Sequence, residues 1–383
     1  MPRIHWAGAG LSAVPGIRRL IENGHGVTVW NRTLAKAEEA VAGLAGDFDC
    51  RVFDMDALKA ALAPSDVAVS MLPGDWHVPL AEACLAAGAH FVSSSYISPE
   101  MRALDGAGRD KGLALVNEVG LDPGIDHSMA HDLVAAYKTS DAFDPANEVS
   151  FYSYCGGLSE TPNDFRYKFS WSPLGVLKAL RSPSRSLKDG ETFDVQRPWD
   201  AISDYSLDLP GGAETFEVYP NRDSLPFMED YAFDPDWNVR DFVRGTLRYG
   251  GWSTAWADIF REVETLKGAE GDARLAEMSA EMWSKYAFAE GEADRVVLAV
   301  ELHAAKDGET NWRQAWRMDA YGGAEGTAMA RLVSLPVSLA VEAVLNGEIG
   351  AGVSAAPSDP KLVARWLETA KGIAAYMERV DLA

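Results

Sequence analysis

The sequence predicts an α/β protein: a Rossmann-type doubly wound parallel sheet, joined to a second mixed α/β domain with a largely antiparallel sheet and a small helical insertion. Three observations carry that expectation. A glycine-rich turn, Gly8-Ala9-Gly10, lies between a short apolar strand and a helix. Strands and helices then alternate at short spacing as far as Val116. From Glu148 onward the segments lengthen and become aromatic, with the apolar/polar alternation of half-buried antiparallel strands.

At 383 residues the chain is long for one core and suits two or three domains. Its 35 Lys and Arg against 57 Asp and Glu give a formal charge of −22. That argues against a nucleic-acid or anionic-membrane partner, since both require basic surface. An anionic ligand would need local clusters of Arg or Lys. Cys50, Cys84 and Cys155 are far apart and form no CxxC pair, which fits a reducing compartment and no disulfide scaffold or Cys-rich zinc site. The N-terminus does not read as a signal peptide, and no unbroken run of about 18 apolar residues occurs. The expectation is a soluble cytoplasmic protein.

Arg3 to Trp6 reads as the first strand, and the helix after the turn runs through Val14 to Glu22 before stopping at Asn23-Gly24. Gly26 to Trp30 is the second strand, so the turn sits in a βαβ unit. Small residues there let the backbone approach a pyrophosphate on the positive end of the helix. Ala13 takes the third glycine position, and Pro15 falls in the first turn of the helix, where a missing N–H costs little. Gly8, Gly10 and Leu11 are candidate cofactor contacts.

The end of the second strand selects the cofactor. An acidic residue there would suit NAD, but the chain has Asn31-Arg32-Thr33. A guanidinium with a hydroxyl suits a 2′-phosphate, and the expectation is NADP(H). The alternative is an Arg that merely decorates a helix start, where a cation is unfavourable.

Strands follow at Arg51 to Phe53, Val67 to Leu72, His90 to Ser94 and Leu113 to Val116. Leu72 and Pro73, at the end of one, would lie beside the nicotinamide ribose. Ser94, Ser95 and Tyr96, at the end of another, offer hydroxyls to the cofactor and the reacting carbon, although a serine run is also ordinary turn chemistry. The stretch Asn117 to His127 then carries Leu121 and Asp122 into an Asp-Pro-Gly turn before a helix. Ligands in open α/β sheets bind outside the carboxyl ends of the strands, so Asp122 is well sited to face cofactor and substrate. Its alternative role is a helix cap.

In the middle, strands are expected at Val149 to Tyr154, Thr215 to Tyr219, Phe242 to Tyr249, Arg295 to His303 and Trp312 to Asp319, with a helix at Leu174 to Leu180. Such a sheet also offers a surface for a homodimer. Arg166, Lys168, Arg222, Arg244 and Arg248 supply the missing cations, and Arg244, Thr246 and Arg248 share one face of a strand. A substrate with several carboxylates would suit them; a solvated face or internal ion pairs would also account for them. His127 and His131 have a metal-ligand spacing, but no third ligand follows and no metal is expected. Trp252 to Phe288 reads as helical with a glycine-rich break. Thr327 to Leu345 is an apolar helix expected to kink at Pro336, Gly350 to Val353 a loop, and Pro360 to Val380 a final amphipathic helix. The domain division expected is 1–122 with about 335–383 for the cofactor, and 123–334 for the substrate, with a helical stretch near 252–290.

Together these motifs resemble the saccharopine reductase family, the L-glutamate-forming, NADP-linked saccharopine dehydrogenases. The resemblance rests on Ser94 to Pro99, Asn117 to His127, Ser153 to Leu158, Tyr167 to Pro173, Tyr219 to Ser224 and Arg244 to Tyr249, in that order, with Ala328 to Gly347 similar as well. It implies that the Rossmann domain is completed by the C-terminal part. It also implies condensation of glutamate with 2-aminoadipate 6-semialdehyde, reduction of the imine by NADPH, and the reverse oxidation of saccharopine. Family substrate contacts fall on Ser95, Asp122, Cys155, Gly157, Trp171, Arg222 and Thr246, and Arg244 is a further candidate. Asp122 would stabilise a cationic iminium, and Tyr96 and Cys155 are candidate proton relays, Cys155 being equally readable as a small core residue. The region after Trp252 is shorter than in the fungal enzymes. A carboxynorspermidine dehydrogenase, another opine-type imine reductase and a non-catalytic NADP(H)-binding homologue are the alternatives.

Overall fold

The structure, a computed structural model, describes residues 2–383 and divides into two compact units. One comprises the chain up to Ser128 with Ala330–Gly372; the other comprises Met129–Met329 with Ile373–Ala383.

The first unit is built on seven parallel strands. In spatial order they are Gly352–Ser354, Ala114–Val116, His90–Ser93, Val67–Ser70, Ile4–Ala7, Val27–Asn31 and Phe48–Val52. Central strands covered by helices on both faces read as continuous apolar runs, and Ile4, Trp6, Val27, Val29, Val67 and Val69 are all fully buried. The strand order reverses between Ile4–Ala7 and Val67–Ser70, and there the carboxyl ends open a crevice for a ligand. Gly352 and Val353, expected to lie in a loop, belong to the edge strand Gly352–Ser354, which pairs in parallel with Ala114–Val116. Three residues are too few to show a period of two.

Helix Val14–Glu22 turns Ile17, Leu20 and Ile21 to the core, at the i, i+3, i+4 spacing of one helical face. Its Gly16 sits so close to helix Ala328–Leu345 that a Cβ there would lie 2.3 Å from the Ser334 carbonyl oxygen. The Gly16 N–H donates to Ser334 Oγ at 2.9 Å. Helix Ala328–Leu345 is long and apolar enough to cross a membrane by composition alone. Val337, Ala340, Val341 and Ala343 are nevertheless fully buried in the core of this unit, so it is a core helix.

The second unit holds a mixed sheet. Its order is Ser203–Leu209, Gly212–Pro220, Asn238–Tyr249, Glu148–Ser159, Asp294–Lys306, Glu309–Tyr321 and Tyr376–Asp381. Every neighbouring pair is antiparallel except Asn238–Tyr249 with Glu148–Ser159. The hairpin Ser184–Lys188/Glu191–Val195 attaches to Asn238–Tyr249. One apolar cluster contains Tyr154, Phe216, Leu247 and Val297. Another joins Tyr167, Phe169, Tyr219, Trp252 and Trp256 to the helices Pro173–Leu180, Ala257–Thr265 and Gly268–Tyr286. The final helix stops at Ile373, short of the expected Val380, and Tyr376–Asp381 becomes a strand beside Glu309–Tyr321. The last part of the tail therefore belongs with the second unit and not with the cofactor domain.

Gly16→Ala should cost about 1–3 kcal/mol by overpacking against a backbone carbonyl. Urea unfolding measures this, and an unchanged midpoint would rule out the close helix contact.

Candidate active site

The first unit arranges its candidate residues around strand ends. Gly8 adopts φ +103°, and a Cβ there would lie 2.6 Å from the Met71 carbonyl oxygen. Its N–H donates to the Trp30 carbonyl at 2.7 Å, so the turn crosses over the end of the second strand. Asn31 Oδ1 accepts from the Ala9 N–H at 3.1 Å while its Nδ2 donates to the Thr33 carbonyl at 2.9 Å. Asn31 thus ties the glycine turn to the next loop. A Cβ at Gly10 would meet nothing within 4 Å, and Leu11 is exposed. Arg32 and Thr33 are exposed too. Arg32 forms no ion pair among the described residues, and the Thr33 hydroxyl makes no cap bond to helix Leu34–Val41. A spare cation, a spare hydroxyl and a positive helix end are therefore available where a 2′-phosphate would sit, and the residues fit NADP(H).

Two loops carry the hydroxyls and the carboxylate. Tyr96 Oη donates to Asp122 Oδ1 at 2.9 Å. Glu118 binds those loops together: its N–H donates to the Ser95 carbonyl at 3.1 Å, and its Oε1 accepts from the Ile97 N–H at 2.8 Å. Its Oε2 lies 3.0 Å from His127 Nε2, with both side chains buried. The Asp122–Pro123 peptide is cis, and Gly120 and Gly124 close the turn, where a Cβ on Gly124 would lie 2.2 Å from the Gly120 oxygen. Ser94 Oγ points to Met71 Sδ at 3.6 Å. Leu72 is half-buried and Pro73 exposed at the neighbouring strand end, and Leu121 is buried beside Asp122.

His77 was not singled out by the sequence, because a lone His in a helix has no distinguishing spacing. Its Nδ1 lies 2.7 Å from Ser70 Oγ and its Nε2 2.8 Å from Ser95 Oγ. Burial pushes its pKa down to about 4. The two histidines at metal-ligand spacing face different partners: His127 faces Glu118, while His131 packs edge-on to Tyr231 at 5.6 Å. No group of three or more His, Cys, Asp or Glu able to hold a metal occurs among the described residues.

The second unit sets Cys155, Thr246 and Tyr219 side by side across three adjacent strands. Arg244 and Arg248 flank Thr246 on the same strand. The Arg244 guanidinium lies 3.9 Å from the Phe227 ring centre. That of Arg248 lies 4.8 Å from Tyr167, 5.6 Å from Trp252 and 5.9 Å from Tyr219. Arg248 is 6% exposed, and its one hydrogen bond among the described residues runs from Nη1 to the Leu247 carbonyl. Glu217, its cross-strand neighbour, accepts instead from the N–H groups of Gly251 and Ser253. Arg295 differs: Asp319 and Glu214 enclose it. Lys168 is likewise committed, to Glu292 at 2.5 Å. Arg222 has a left-handed backbone, φ +58°, and lies beside Arg244 through the Asn221 N–H to Arg244 carbonyl bond. A Cβ at Gly157 would lie 2.7 Å from Met329 Cε, so a side chain there would displace the end of that methionine. Trp171 is 36% exposed, and its ring lies over Gly175.

The glycine turn, the free Arg32 and the strand-end carboxylate define an NADP(H)-dependent oxidoreductase of the Rossmann class. Residues 4–116 match the family described as "Saccharopine dehydrogenase NADP binding domain", and residues 120–373 match "Saccharopine dehydrogenase C-terminal domain". The chain belongs to the saccharopine dehydrogenase family. It is 31% identical to saccharopine dehydrogenase [NADP(+), L-glutamate-forming] of Pyricularia oryzae, with 93% of each chain covered. It is 28% identical to the Schizosaccharomyces pombe protein of the same name, with all of each covered. That alignment runs over 461 positions against the 383 residues here, so the relative carries segments this chain lacks. Apo saccharopine dehydrogenase (L-Glu forming) from Saccharomyces cerevisiae superposes with a TM-score of 0.80 at 27% identity, each chain fully covered. A Legionella pneumophila homospermidine synthase in complex with NAD superposes at 0.66 with 9% identity, covering 100% of this chain and 91% of that one, a likeness of fold alone.

Glu118→Ala should destabilise the protein by about 3 kcal/mol, because a buried partner of His127 and the acceptor for Ile97 are both lost. An unchanged urea midpoint would contradict that. A pH effect follows from His77. Its folded pKa lies below the unfolded value, so the unfolded chain binds the extra proton between about pH 6.5 and pH 4, and stability falls as pH drops through that window. His77→Gln should remove roughly 3 kcal/mol of that acid destabilisation, read as a shallower fall in urea midpoint from pH 7 to pH 4.

Proposed function

We propose that this protein catalyses the NADP(H)-linked interconversion of saccharopine and water with L-glutamate and 2-aminoadipate 6-semialdehyde. The observation that carries the reading is Arg248, a buried guanidinium that no carboxylate of the described residues neutralises. A buried cation of this kind calls for an anionic ligand, and saccharopine has three carboxylates. The names of the Pyricularia oryzae and Schizosaccharomyces pombe relatives support the same substrate.

In this reading Gly8, Gly10, Leu11, Asn31, Arg32, Thr33, Leu72, Pro73, Ser94 and Leu121 hold the cofactor, which accepts or supplies the hydride. Arg222, Arg244, Thr246, Ser95, Gly157 and Trp171 hold the substrate, with Arg248 supplying the uncommitted charge beside Thr246. Asp122 places negative charge against the cationic iminium that forms on the substrate, and the Tyr96 hydroxyl, by donating to Asp122, fixes the direction of that carboxylate. Tyr96 and Cys155 assist proton movement at the substrate nitrogen and the attacking water. The arginines favour a substrate with several carboxylates over a simple polyamine-derived imine. A reducing, cytoplasmic setting is part of the proposal and is supported by the three unpaired cysteines, Cys50, Cys84 and Cys155. A homodimer through the mixed sheet completes it.

The experiment is NADP⁺ reduction with saccharopine, followed by NADPH absorbance, with NAD⁺ in parallel. Turnover with NADP⁺ is expected. Arg32→Ala should raise the KM for NADP⁺ by about 10- to 100-fold, the value of a charge-assisted phosphate contact, with the NAD⁺ rate nearly unchanged. No turnover in the unaltered protein would sink the proposed substrate, and equal losses with both cofactors would remove the role given to Arg32.

A further inference from the structure

Ser70 is fully buried at the end of its strand, and among the described residues its hydroxyl has one partner, His77 Nδ1, at 2.7 Å. The opposite ring nitrogen meets Ser95 Oγ at 2.8 Å. Two short contacts to ring nitrogens fix which way the imidazole lies. They also select its tautomer. Were the proton on Nδ1, the Ser70 O–H would be buried with no acceptor, an unmade hydrogen bond. With the proton on Nε2, Ser70 donates to Nδ1 and His77 donates to Ser95. Every buried donor is then satisfied. Burial keeps the ring neutral, so it can play both parts.

Ser95 stands in a different position. It is only partly buried, and its Oγ has no other partner among the described residues. Having accepted from His77, it keeps its own proton for something outside the chain.

We infer that His77 is a positioning residue: held as the Nε2–H tautomer by Ser70, it turns Ser95 into a hydrogen-bond donor aimed at a ligand acceptor, making this a carboxylate-binding subsite. The inference rests on the proposed reaction only in naming the carboxylate as saccharopine's. The Ser70–His77–Ser95 chain runs between two neighbouring strand ends, so it also fixes the rotamer of Ser95 before any ligand arrives. A hydroxyl aligned in advance loses less freedom on binding.

Two measurements test it. Long-range ¹H–¹⁵N correlation of the His77 ring in the unaltered protein should show the proton on Nε2; a proton on Nδ1 overturns the inference, whether or not saccharopine turns over. Kinetics give the second reading. Ser95→Ala and His77→Asn should each raise the KM for saccharopine by about 3- to 10-fold, the worth of one hydrogen bond. The value of kcat and the Kd for NADPH should stay within about twofold, as expected for binding that is uniform across the reaction. Asn can replace Nδ1 towards Ser70 but cannot reach Ser95. His77→Gln places an amide N–H near the position of Nε2 and should restore KM. The double variant H77N/S95A should match S95A alone. Additive losses, or a kcat and NADPH affinity that fall along with KM, would reduce His77 to a structural residue. Absence of saccharopine turnover in the unaltered protein would defeat the proposed reaction, and the tautomer would still decide the role of His77.

Discussion

The Glu118 carboxylate holds two strand-end loops in one place, and both loops carry the reactive side chains of the first unit. One oxygen takes the Ile97 N–H, the other faces His127, and the Glu118 N–H reaches the Ser95 carbonyl. Neither loop has a helix or a sheet ladder of its own to define it. Without these bonds, Tyr96 and Asp122 would each sit on an independent segment, and their 2.9 Å contact would need the entropy of two loops to be lost at every turnover. The tie to His127 is buried, so water does not compete for it, and the low local dielectric strengthens it. His127, whose spacing from His131 suggests a metal pair, instead anchors this carboxylate.

Charge in this protein is organised by the same separation between committed and uncommitted groups. A chain of net charge −22 has ample carboxylate to neutralise its cations, and many are paired in this way: Arg295 by Asp319 and Glu214, Arg274 by Glu262 and Glu281, Lys168 by Glu292. Arg248 is held otherwise, by the faces of Tyr167, Tyr219 and Trp252. Aromatic rings stabilise a cation without cancelling its charge, so the guanidinium keeps its attraction for an anion. Arg32 is left uncommitted in another way, by exposure at a helix start whose own polarity already attracts phosphate. An acidic protein can thus present positive charge at selected points while remaining repulsive to polyanions elsewhere.

How much of this was legible depends on the length scale of the signal. The glycine turn could be read because Gly8 must adopt φ +103° against the Met71 carbonyl, and only one residue type does so freely. The parallel sheet could be read from near-continuous apolar runs such as Val67 to Val69. Gly352–Ser354 and Tyr376–Asp381 could not, since the first is very short and the second, Tyr-Met-Glu-Arg-Val-Asp, continues the charged pattern of the preceding helix. The hairpin Ser184–Lys188/Glu191–Val195 left a local mark that went unread: Asp189-Gly190, both at positive φ, the dipeptide of a tight hairpin turn. Within the candidate site, Tyr96, Asp122 and the arginines announce themselves by residue type. His77 and the clamping function of Glu118 do not, because they depend on which loops meet, and that is a tertiary fact with no one-dimensional trace.

Glu118 also shows where side-chain identity outweighs backbone preference. Its φ of +57° lies in the left-handed region, which non-glycine residues occupy at a cost of about 1–2 kcal/mol. Glycine would relieve that cost, but it would also remove both carboxylate oxygens, and with them the bonds to Ile97 and His127. Arg222 presents the same choice at φ +58°, in a loop whose backbone is pinned by the Arg185 N–H to Arg222 carbonyl bond at 2.7 Å. At each point a glycine would fit the turn and forfeit the charge. Strain persists in a fold only where surrounding bonds over-determine it, and at both residues the bonds doing so are the ones that hold the candidate site loops.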